Sequence, residues 1–151
     1  MIGYKTVVVG TDGSDSSLRA VDRAAALASD PDAKLIVATA YFPSSDDPRG
    51  ADVLKGESYK LSGNAPIYAI LQDAKERAHA AGAKNVEDRA IVGAPVDALV
   101  DLAQEVKADL LVVGNVGLST IAGRLLGSVP ANVSRRSKTD VLIVHTTGKT
   151  Y

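Results

Sequence analysis

The chain has 151 residues, 46% of them hydrophobic and only 4% aromatic, so it has the size and apolar content of one compact domain with a core of Val, Leu, Ile and Ala. A formal net charge of −1, with acids and bases mixed along the sequence, leaves no basic stripe of the kind that nucleic-acid binding needs. Cysteine is absent, which removes disulfides, thiol catalysis and thiolate metal sites together. No apolar run is long enough to span a bilayer, and the start M-I-G-Y-K-T-V-V-V-G lacks the pattern of a signal peptide, so the expectation is a cytoplasmic protein without a membrane partner.

Tyr4 to Gly10 reads as a strand whose three consecutive valines suit burial on both faces, hence a central position in a parallel sheet. Thr11-Asp12-Gly13-Ser14 is a turn rich in cap-forming residues, and Leu18, Val21, Ala25 and Ala28 then share one helical face. Ala33 to Tyr41 gives a second strand, ended by Pro43. From there to about Ala65 the chain is rich in Pro, Ser, Asp and Gly, a length of connection that serves either as a lid or as a plain surface loop.

Pro66 suits a helix start, and Ile67, Ile70, Leu71, Ala74 and Ala78 repeat at helical spacing until Gly82. Asn85 to Val92 is a third strand, less apolar and so nearer an edge, and Gly93-Ala94-Pro95 opens a helix with Val96, Leu99, Val100 and Ala103 on one face. Asp109 to Gly114 is a fourth strand, Val129 to Arg136 a short helix, and Asp140 to His145 a fifth strand. Strands alternating with helices predict an α/β fold, a single doubly wound five-stranded parallel sheet with right-handed crossovers and helices on both faces. One domain over residues 1–147 accounts for the pattern, and 148–151 reads as a tail. Gly148-Lys149-Thr150 resembles the end of a P-loop, but Ile143 stands where that motif needs its first glycine.

The stretch G-N-V-G-L-S-T-I-A-G-R-L-L-G-S-V-P, from Gly114 to Pro130, carries the chemistry. It leaves a buried-looking strand and enters a helix, a junction where glycines let the main chain approach a phosphate and the first helical amides lack internal partners. Ser128 would cap that helix or donate its hydroxyl to a ligand oxygen. In sheets of this kind ligands bind beyond the carboxyl ends of the strands where the winding direction switches, and both Gly10 to Ser14 and Gly114 to Ser128 leave such ends. A phosphate-bearing small molecule is the expected guest.

The spacing Gly114-x2-Gly117-x9-Gly127-Ser128 resembles the signature G-x2-G-x9-G-[S/T] of the ATP-binding branch of the universal stress protein family. The resemblance extends over nearly the whole chain. V-V-V-G-T-D-G-S is similar to the family's first strand and turn, Ile91-Val-Gly-Ala-Pro95 to its third strand entering a helix, and A-D-L-L-V-V-G-N-V-G to its fourth strand. The full stretch from Gly114 to Arg136 is similar to that of the small mycobacterial members that bind cyclic AMP.

The resemblance implies a sheet in the order 3-2-1-4-5, an adenine nucleotide across the switch point, a role in the stress response, and a homodimer through the fifth strand, Asp140 to His145. It implies a nucleotide site made of Gly10, Thr11, Asp12, Ala40, Val92, Gly114, Asn115, Val116, Gly117, Gly127, Ser128, Val129 and Pro130. Asp12 would face the ribose, the strand end Ala38 to Tyr41 together with Val92 would line the adenine, and Gly114, Gly117, Gly127, Ser128 and Val129 would hold phosphate. On the residues alone, Asp12 serves equally as a turn former or helix cap, and Ala40 and Val92 as plain core.

No catalytic or metal-ligating set is legible. Neither Ser14 nor Ser119 sits in a G-x-S-x-G frame, and His79 and His145 suit solvated or packing roles, so the expectation is a binding protein without catalytic residues. The ligand stays open between cyclic AMP and ATP with magnesium. Arg124 is the only basic residue between Gly114 and Pro130, which matches one delocalised negative charge better than a triphosphate, unless Arg135, Arg136 or a lysine of the long loop completes the site. Slow ATP hydrolysis and a nucleotide-regulated protein-interaction module are the alternatives.

Overall fold

A computed structural model describes residues 3–42, 65–115, 133 and 137–145. The strands are β1 (Thr6–Gly10), β2 (Lys34–Tyr41), β3 (Val86–Val92), β4 (Leu110–Gly114) and β5 (Asp140–Val144). Among the described residues the long helices are α1 (Asp15–Leu27), α2 (Ala65–Ala80) and α3 (Pro95–Glu105). All strand pairs are parallel and the order is β3-β2-β1-β4-β5, so the winding direction changes between β1 and β4. The long connection at 43–64 and the short helix expected over 129–136, apart from Val133, lie outside the described residues.

Strand periodicity divides the core into two layers. Val7 and Val9, Leu35 and Val37, and Leu110 and Val112 point to the side of α1 and α2, whereas Val8, Ile36 and Ala38, and Leu111 and Val113 point to the side of α3 and Val133. Because β1 and β4 are covered on both sides, they are apolar at nearly every position. The α1–α2 layer is built largely from alanines, with Ala20, Ala24, Ala25, Ala28, Ala74 and Ala78 all fully buried, so the helices lie close to the sheet.

The edges differ. On β3, Glu87, Asp88 and Arg89 replace core residues, and each is paired: with Lys34 at 3.0 Å, Lys75 at 3.7 Å and Glu105 at 3.0 Å. Charge on an edge strand discourages pairing with another chain. On β5 the composition is apolar, yet only Val144 is buried, and Ile143 is 41% exposed.

The strands begin or end one or two residues inside the expected spans, and Asp109 explains one such boundary. Its Oδ2 accepts from the amides of Lys5 at 2.8 Å and Thr6 at 3.0 Å, so a carboxylate satisfies the donors at the start of β1, while the Lys5 carbonyl still accepts from the Lys34 amide at 2.8 Å. Helix starts follow local chemistry. The Ser14 hydroxyl caps α1 by accepting from the Ser17 amide at 3.1 Å, while α3 starts on Pro95, whose fixed φ suits the first helical position.

Candidate functional site

Over the carboxyl ends of β1 and β2 the elements leave a cleft of about 430 Å³, within the range of roughly 300–1,000 Å³ typical of small-molecule sites. Gly10, Thr11 and Asp12 reach it from β1, and Ala38 to Phe42 from β2. Ile67 and Ile70 of α2 form one wall, and Gly93, Pro95 and Leu99 the other. The walls are therefore mainly small and branched apolar groups, suited to a flat ring, with Thr11, Asp12 and Thr39 as polar points. Asp12 is the one charged side chain among the described lining residues.

The β1–α1 turn that carries Asp12 is tightly specified. Asp12 Oδ1 accepts from the Ser14 amide at 2.9 Å, so the carboxylate closes an Asx turn, and the helix cap falls to Ser14. Gly13 follows with φ +88°, a conformation that disfavours a side chain, and packs directly on Ile70. Thr11 donates its amide to the Ala38 carbonyl at 2.9 Å, extending the β1–β2 pairing into the cleft floor. Its hydroxyl and that of Ser17 are 2.7 Å apart in the buried interior.

Gly10, Thr11, Asp12 and Ala40, four of the expected site residues, thus share this cleft. Gly114 and Asn115 lie at the carboxyl end of β4, where the Asn115 amide donates to Val144 O at 2.9 Å and its side-chain nitrogen is 3.5 Å from His145 Nδ1. Val92 is elsewhere: its side chain is 58% exposed on a groove between β3 and α3, and its neighbour Gly93, at φ +133°, lines the cleft in its place. Val116, Gly117, Gly127, Ser128, Val129 and Pro130 lie outside the described residues. Sequence reasoning missed the walls made by Ile67, Ile70 and Leu99, whose helical spacing is the same as that of ordinary core residues. Gly93 and Pro95, which open α3, were the only local signal on that side.

Parallel strands, helices on both faces and a cleft over the carboxyl ends beside the winding switch define an α/β protein of the small-ligand-binding kind. Residues 3–145 match the Universal stress protein family, and the chain belongs to that family. It is 79% identical over 147 residues to universal stress protein Rv1636 of Mycobacterium tuberculosis H37Rv, covering 97% of this chain and 100% of the relative. A crystal structure of a universal stress protein in complex with cAMP superposes with a TM-score of 0.76 at 69% identity, over 97% of this chain and all of that one. The crystal structure of Rv1636 itself gives a TM-score of 0.62 at 71% identity, over 97% and 99% of the two chains.

Proposed function

We propose that this universal stress protein binds an adenine nucleotide in the β1–β2 cleft and senses or buffers cyclic AMP without turning it over. The observation that carries the proposal is the cleft itself: an apolar slot lined by Asp12 at the end of β1, beside the switch to β4. The adenine would rest among Ala38, Ala40, Ile70 and Leu99, and the ribose hydroxyls would face Asp12. The phosphate would lie toward Gly114, Asn115 and the glycine-rich stretch, with Val116, Gly117, Gly127, Ser128 and Val129 contributing amides, Ser128 also a hydroxyl, and Pro130, which has no N–H, serving only as a neighbour. The 69% identical protein solved with cAMP supports this choice of ligand.

Charge favours cyclic AMP over ATP. A carboxylate, the one charged lining group among the described residues, repels a triphosphate more than a monoanion, and ATP would need magnesium or incoming cations to offset it. A cytoplasmic location, where both nucleotides are made, goes with this reading. The apolar, partly exposed edge of β5 supports a homodimer in which two copies pair there.

Calorimetric titration with cyclic AMP and with ATP, each with and without magnesium, tests the ligand. Tighter binding of cyclic AMP is expected, and ATP binding of equal or greater strength rejects the charge argument. Incubation with ATP should leave the nucleotide intact. Light scattering should report a dimer at micromolar concentration, and a monomer there rejects the β5 interface.

A further inference from the structure

The turn that presents Asp12 is tied together by one buried oxygen. Ser17 is fully buried and Thr11 is 1% exposed, and their hydroxyls are 2.7 Å apart. The Gly13 amide donates to Thr11 Oγ1 at 3.0 Å, the Asp12 amide donates to Ser17 Oγ at 3.2 Å, and Ser17 Oγ donates to the Ser14 carbonyl at 3.0 Å. A serine hydroxyl offers one proton and two lone pairs. Since the Ser17 proton goes to Ser14 O, Thr11 must supply the proton between the two hydroxyls. Ser17 Oγ then accepts twice and donates once, and its capacity is full.

Ser17 is not among the residues lining the cleft, and its hydroxyl holds the two that follow β1. It receives Asp12 through the main chain and Thr11 through the side chain, while the Asp12 carboxylate is fixed separately by the Ser14 amide. An ordinary cap would need none of this, because Ser14 already satisfies the Ser17 amide. We propose that Ser17 is a positioning residue for the nucleotide site, setting the orientation of Asp12 and turning the Thr11 hydroxyl inward and away from the ligand. The proposal rests on the nucleotide reading of the cleft.

Ser17→Ala removes the shared oxygen and leaves the part-buried Asp12 amide and the buried Thr11 hydroxyl without their acceptor. Hydrogen exchange of the ligand-free, full-length protein reads the turn directly: the Asp12 amide should exchange at least several-fold faster in Ser17→Ala, while amides of β4 keep their protection. Titration with cyclic AMP should show affinity weakened about tenfold, the equivalent of one net hydrogen bond. In an Asp12→Ala background the same Ser17→Ala change should weaken binding by less than about twofold, because its effect acts through Asp12.

Unchanged Asp12 exchange, or an equal affinity loss with and without the Asp12 carboxylate, overturns the proposal. If Ser17→Ala does not fold, Thr11→Val provides the exchange test, with faster exchange expected at Gly13, which loses its acceptor, and unchanged exchange there overturning the network. A wild-type protein that binds no cyclic AMP, in which Ser17→Ala still frees the Asp12 amide, rejects the nucleotide reading and supports the turn-holding role by itself.

Discussion

Replacing Gly13 with alanine should destabilise the protein strongly although the site is a single turn residue. Two costs add. The first is the backbone, since φ is +88° and an L side chain there is strained by about 1–3 kcal/mol. The second is space. The new Cβ would stand 2.8 Å from Ile70 Cγ1 and 3.3 Å from Ile70 Cδ1, and Ile70 is a β-branched residue of α2 with little freedom to turn aside. Overpacking of this kind costs about 1–3 kcal/mol. The sum, roughly 2–6 kcal/mol, lowers the urea midpoint by about 1–3 M at a slope near 2 kcal/mol/M.

Urea unfolding followed by circular dichroism measures this, and a double-mutant cycle separates the two costs. In an Ile70→Ala background the crowding disappears and the backbone strain remains, so Gly13→Ala should cost at least about 1 kcal/mol less than in the wild type. A Gly13→Ala variant within about 0.5 kcal/mol of the wild type, or a cycle with no coupling, refutes the reasoning. Because Ile70 also lines the cleft, the same variant should bind cyclic AMP more weakly at a temperature where it is fully folded.

Leu35→Ala, at a fully buried position between β2 and the α1–α2 layer, should cost about 2–5 kcal/mol in the same unfolding experiment. Arg77 meets Asp22 at 2.9 Å and 3.0 Å, but both side chains are about two-fifths exposed, so a double-mutant cycle should give a coupling of only about 0.2–1 kcal/mol that shrinks in 1 M salt. The Tyr4 phenol, 3.2 Å from Asp140 Oδ2, titrates above its ordinary value chiefly because its hydrogen bond to that carboxylate is lost on ionisation, with burial and the negative charges of Asp140 and Asp109 adding to it. Its contribution to stability is therefore complete below about pH 10, the unfolded value, and is lost as the pH rises through the higher folded value. Alkaline difference spectra against Tyr4→Phe should isolate this phenol, and Asp140→Asn should move its midpoint down; an unmoved midpoint removes the hydrogen bond as the cause.

The amino-acid pattern alone determined the class of the fold. Uninterrupted apolar runs marked β1 as central and β4 as buried, the less apolar third strand was marked as nearer an edge, and Gly and Pro separated the helices from the strands they connect. These are local properties, because strand and helix periods record which face of each element meets the core. The placing of Gly10 to Asp12 at a strand's carboxyl end was legible for the same reason, and the strand order was implied by the family resemblance.

Tertiary structure decided what depends on distant parts of the chain coming together. Ile67, Ile70 and Leu99 follow the same periodicity as Leu71 and Ala103, and only the spread of α2 and α3 around the strand ends turns the first set into cleft walls. Val92, read as a wall for the base, is carried to the exposed side of an edge strand, and Asp109 closes the start of β1 across a separation of 104 residues. Even the six-residue link from Thr11 to Ser17 was hidden, because a hydroxyl's partner is set by how the turn bends back over the first turn of α1. Local sequence fixes an element's period and its buried face; the partner of a polar group, and the boundary between a packed core and a cavity, exist only once several elements are assembled.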